Sequence, residues 1–76
     1  MRADAAWHPE VAAGALLRLV TTETADSAVI AAAWRNLAGA VGADAAGIHL
    51  YTVARNRGLD GDDVVDIAVQ AAVWHG

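Results

Sequence analysis

Apolar residues recur along this chain at helical spacing, and short polar breaks divide them into four segments. The first opens at His8-Pro9-Glu10. Proline suits the first helical position, where its missing N–H would have no partner anyway. A helix over residues 9–20 follows, with Val11, Ala12, Ala15, Leu16, Leu19 and Val20 on one stripe. Gly14 weakens it slightly. The stretch TTETADS (21–27) breaks the pattern, because its residues compete for backbone hydrogen bonds.

A second helix is predicted over residues 24–41, with Thr24 as N-cap and Asp26 in the first turn. Its apolar face is Val29, Ile30, Ala33, Trp34, Leu37, Ala40 and Val41. The opposite face, Ala31, Ala32, Ala38 and Gly39, is small and neutral, so it lets another backbone come close. Gly42 reads as the left-handed residue that ends this helix. Asp44 is placed as cap of a third helix reaching Arg57, with Gly58 as terminator and Ile48, Leu50, Tyr51, Val53 and Ala54 as its apolar side. Asp60 caps the fourth, with Asp63 in the capping-box position and Asp62 beside it. Val64, Val65, Ile67, Ala68, Ala71 and Ala72 form its buried face. The ending Val73-Trp74-His75-Gly76 predicts fraying at Trp74. No window alternates with period two, so the fold class is all-α: a small bundle of four short helices in one domain, residues 1–76.

Composition sharpens this picture. A chain of 76 residues buries only about 60% of its unfolded surface, which leaves a thin stability margin. With no cysteine, neither a disulfide nor a thiolate metal site can staple it. Yet 57% of its residues are hydrophobic, mostly Ala and Val, and small domains often gain stability by association. A homodimer is therefore expected. No apolar run has the length of a membrane span, and MRADAAWHPE has acids but no apolar signal core. The expectation is a cytoplasmic protein without membrane contact. Net charge is −4; all five basic residues are arginines, against nine acids. Nucleic-acid binders usually carry a basic stripe, so overall charge weighs against RNA or DNA.

No catalytic arrangement emerges, and no enzyme, small-molecule substrate, cofactor or metal is expected. Ser27 is the only serine, has no histidine near it in sequence, and reads as a first-turn helix residue. Asp62 and Asp63 suit the positive end of a helix dipole better than acid/base work. The run DGDDVVD lacks the Glu that a calcium loop needs at its twelfth position, where Ala71 stands. His8, His49 and His75 have no metal-ligand spacing, although Trp7-His8 and Trp74-His75 would cluster if the termini met. Of the three tryptophans, Trp34 reads as core. Trp7 and Trp74 either cap the core or anchor an interface. Arg55 and Arg57 end a helix, which the dipole alone favours. Together with Arg35 and Asn36 they are also the candidates for phosphate contact.

Helices two to four resemble the ANTAR domain, the RNA-binding module of bacterial transcription antitermination regulators. The resemblance rests on Val29-Ile30-Ala31-Ala32-Ala33-Trp34-Arg35-Asn36-Leu37-Ala38 ending at Gly42, and on LYTVARNRGLDGDDVV from Leu50 to Val65. It covers Val29 to Gly76, so residues 24–76 would be a three-helix unit preceded by an N-terminal helix over 8–21. Trp34-Arg35 stands where the family usually has Lys-Gly, and the segment from Gly42 to Leu50 is shorter. The resemblance implies binding to RNA stem-loops in transcription regulation, dimerisation, and signal input from a separate sensor protein. It points to Arg35, Asn36, Arg55 and Arg57 for phosphate or base contacts and to Tyr51 for base stacking. The rival expectation is a protein–protein interaction or homodimerisation module with no RNA role. Its interface would comprise Trp7, Ala31, Ala38 and Trp74.

Overall fold

A computed structural model of the chain describes residues 8–76. It is an all-α bundle of α1 (Pro9–Thr21), α2 (Ser27–Val41), α3 (Ala43–Asn56) and α4 (Gly61–Trp74), with no strand among the described residues. α1 packs chiefly on α3, and α2 chiefly on α4. The first helix is thus packed into the bundle with the other three.

Helix ends follow local hydrogen-bond needs. Pro9 begins α1 as expected. At its other end the Thr21 hydroxyl donates to the Leu17 carbonyl at 2.9 Å, and the Thr22 hydroxyl to Arg18 at 2.6 Å. α2 starts later than expected. A turn in which the Ala25 N–H donates to the Thr22 carbonyl takes up Thr24, so Asp26 is the cap and accepts from the Ala28 N–H at 2.9 Å. Asp44 likewise does not cap α3. That helix begins directly after Gly42, whose carbonyl accepts from the Ala46 N–H, and Asp44 sits in the first turn.

Gly42 is the whole joint between α2 and α3. Its φ of 92° and ψ of 152° lie in a region open essentially to glycine alone. Gly58, at φ 76°, ends α3 in a Schellman arrangement: the Leu59 N–H donates to the Ala54 carbonyl and the Gly58 N–H to Arg55. Asp60 then caps α4, accepting from the N–H groups of both Asp62 and Asp63.

The helices are turned about their axes relative to the expected faces. The buried set is Ala13, Leu16, Leu17, Ile30, Ala31, Trp34, Leu37, Ala46, Leu50, Ala54, Val64, Ala68 and Ala71. Six of these thirteen are alanines, so the helices approach through small side chains. Ala31, expected on an open back face, is fully buried, and Ala38 packs partly against the core. Val11, Val29 and Ile48, expected inside, are outside. Tyr51 lies flat over the start of α4, where a Cβ on Gly61 would fall 2.5 Å from its Cδ2. Gly47 faces Val65 further along, so α3 and α4 run antiparallel.

Two glycines of nearly the same sequence region should respond oppositely to alanine. Gly39 is helical and open, so Gly39→Ala should stabilise by about 0.5–1 kcal/mol. Gly42 is equally open but has positive φ, so Gly42→Ala should cost about 1–3 kcal/mol through backbone strain alone. Urea unfolding of both variants checks the pair; the same sign for both would refute it.

Trp34 is 8% exposed and belongs to the core cluster. Trp34→Ala should cost about 3–5 kcal/mol by the same measurement. A loss below about 1 kcal/mol would contradict its place in the core.

Candidate interaction surface

No polar or charged residue is buried among the described residues, so the interior offers no chemistry. What the fold displays must be sought on its surface. The large apolar side chains left outside include Ile48 (65% exposed), Val73 (71%) and Trp74 (86%).

Trp74 does not stand on a frayed end. α4 is helical through this residue, and its last turn is fastened to α2 in two places. The Arg35 guanidinium, from the middle of α2, donates to the Ala72 carbonyl at 3.1 Å. The Ser27 hydroxyl, at the first turn of α2, lies 2.7 Å from His75 Nε2. Three of the four carbonyls at the end of α4 then have partners. Ala71 accepts from the His75 N–H, Ala72 from Arg35, and Val73 from the Gly76 N–H. A cation at this end also complements the helix dipole. The last turn is therefore held in place, and its tryptophan is presented outward.

The contact between Ser27 and His75 crosses 48 positions of sequence and was not legible from spacing. A serine beside a histidine is half of a nucleophilic pair, but both side chains are exposed, and neither lines the groove between α3 and α4 or the one between α1 and Arg57. The pair reads as a tie between helix ends.

The five candidate RNA contacts lie on α2 and on the C-terminal half of α3 and its cap. Arg35 belongs to the seam between α2 and α4. Arg57, the C-cap of α3, reaches toward Gly14 of α1 and lines a groove of about 580 Å³ with Glu10, Val11, Ala15, Arg18 and Leu19. Arg18 is thus its cationic neighbour, a residue that spacing alone did not single out. Arg55 and Asn36 are exposed. The ring of Tyr51 covers Gly61 and is 38% exposed. Among the four candidate interface residues, Ala31 is in the core, Ala38 is half-buried, Trp74 is exposed, and Trp7 lies outside the described residues.

A second surface lies between α3 and α4. It is a groove of about 430 Å³ lined by Gly47, Ile48, Tyr51, Val65 and Val69, with Asp44, Asp62 and Asp66 among its walls. Helical spacing places Ile48, Tyr51 and Val65 on the inward faces of their helices, so the groove is not legible in the sequence. Among the described residues, no three histidine, aspartate or glutamate side chains gather so as to hold a metal ion. No described helix is long and apolar enough to cross a membrane.

Neither a family model, nor a curated protein, nor a solved structure matches this chain.

Arg35→Ala should remove one cap of α4 and lower stability by about 1 kcal/mol. The specific readout is amide hydrogen exchange. The N–H groups of His75 and Gly76, which bond the same last turn, should exchange faster while those of α1 do not change. Unaltered exchange at both would refute the capping role.

Proposed function

We propose that this chain is a non-enzymatic protein–protein interaction module that self-associates through the outward side of α4's C-terminal half. One observation carries the reading: Trp74 is 86% exposed on a helical turn that two side-chain contacts fasten to α2. An anchor already ordered before binding loses less entropy on association. Tryptophan is also enriched among residues that dominate binding energy. Val73 stands beside it at 71% exposed, with Ile67 and Gln70 on the preceding turns.

Charge permits a second copy as the partner. The chain carries a net −4, so two copies repel wherever their acids face each other. Ile67 to Trp74 contains no charged residue. It is a stretch on which two acidic chains can meet without that penalty.

A second reading follows the resemblance to the ANTAR domain, with binding to an RNA stem-loop. The observation in its favour is the pairing of Arg18 and Arg57 along one groove. Against it stand Glu10 in the same groove and the position of Arg35 at the far seam.

Sedimentation velocity over a range of concentrations tests the first reading. The natural chain should form dimers, and Trp74→Ala should shift dissociation by about tenfold or more while leaving helicity unchanged. A chain that is monomeric at every concentration, or a dimer indifferent to Trp74→Ala, would overturn it. Titration with short RNA stem-loops between about 50 and 200 mM salt tests the second, since phosphate contacts weaken steeply over that interval.

A further inference from the structure

The groove between α3 and α4 is distinct from the Trp74 surface, and its chemistry differs. Its floor is apolar: Ile48, Val65 and Val69. Asp44, Asp62 and Asp66 supply its charge, and no basic residue lines it among the described residues. We propose that this groove docks a basic amphipathic helix from a different protein. The proposal is independent of self-association.

Three features select that occupant. The first is length. Asp44, Ile48 and Tyr51 follow one another at i, i+4 and i+7 on α3, and Asp62, Asp66 and Val69 do the same on α4. At 1.5 Å per residue each row runs about 10 Å, or two helical turns. A helix laid in the groove would meet it with its own i, i+4 and i+7 positions. The second is the floor. Ile48 is 65% exposed, far more than a residue of the packed interior. An apolar side chain of a partner placed there would remove both surfaces from water.

The third is sign. Three aspartates around an apolar floor attract lysine and arginine on the flanks of the partner helix and repel acids. A second copy is poorly suited, because it carries nine acids and five arginines and would bring its own negative surface to the rim. The spread of the three carboxylates along two rows also fits a row of cations better than one metal ion, for which they are not gathered.

The test uses a fluorescent helix-forming peptide of about 14 residues, with leucines at i, i+4 and i+7 and lysines on both flanks. Its counterpart carries glutamates in place of the lysines. Binding is followed by fluorescence anisotropy with the natural chain and with the Trp74→Ala chain, so that loss of the dimer does not obscure the result. The lysine peptide should bind both chains equally and the glutamate peptide about tenfold more weakly or worse. Ile48→Ser and Asp66→Lys should each weaken the lysine peptide by about tenfold, and both positions are exposed enough to leave the fold intact. Raised salt should weaken binding to the natural chain. Equal binding of the two peptides, or indifference to both substitutions, would overturn the proposal. So would a loss of the chain's own dimer on Ile48→Ser, which would assign the groove to a second copy.

Discussion

The helices of this chain meet through alanine, and most of its surface character follows from that. Ala13, Ala31, Ala46, Ala54 and Ala68 are fully buried. A methyl group at a helix crossing lets backbones approach closely, but it removes little area from water. By the usual area scale, a buried methyl contributes about 0.8 kcal/mol, against about 1.5–3 kcal/mol for a whole valine, leucine or isoleucine side chain. Leu16, Leu17, Leu37, Leu50 and Trp34 supply the bulk between these crossings. Larger aliphatics for which such a close-packed interior has no room are left outside. Val11, Ile48 and Val73 are each more than half exposed. The apolar surface is thus the counterpart of a small-residue core.

Much of the fold was legible because helix ends are local events. Pro9, Gly58 and Asp60 act where their chemistry indicated, since a missing donor, a positive φ and a carboxylate beside free N–H groups need only near neighbours. Thr24 and Asp44 misled because two candidate caps lay close together, and turn geometry chose between them. The rotation of each helix was less legible. In a segment such as VIAAAWRNLAGAV, alanines lie on every side, so periodicity leaves the buried arc poorly defined. Size misleads further, because valine and isoleucine ordinarily mark the inside. Ala31 and Ile48 exchanged their expected roles on that account. The ties from Arg35 and Ser27 to the end of α4 were not legible at all, since they join residues 37 and 48 positions apart.

α4 illustrates how one helix serves three purposes without conflict. Val64, Ala68 and Ala71 face the core. Asp62, Val65, Asp66 and Val69 face the groove beside α3. Ile67, Gln70, Val73 and Trp74 point away from the bundle toward the last turn. Charge divides the two open surfaces along the chain, with every aspartate of the helix at or before position 66 and none after it. The acids also suit the positive end of the helix dipole, and the uncharged end is completed by the guanidinium of Arg35. Helix electrostatics and surface specificity therefore point the same way.

The arginines decide how the resemblance to an RNA-binding module should be weighed. Affinity for phosphate grows with the number of cations that reach one backbone together, so placement counts for more than number. Arg35 is committed to the end of α4, where leaving would expose a carbonyl and free a helix turn. Arg57 and Arg18 share a groove with Glu10, which halves their net charge at that site. A chain with nine acids has little long-range field to draw in a polyanion. The same excess of acid, placed around Ile48 and Val69, draws in the opposite class of partner. Read through where its charges sit, the molecule is better built to hold a basic peptide than a nucleic acid.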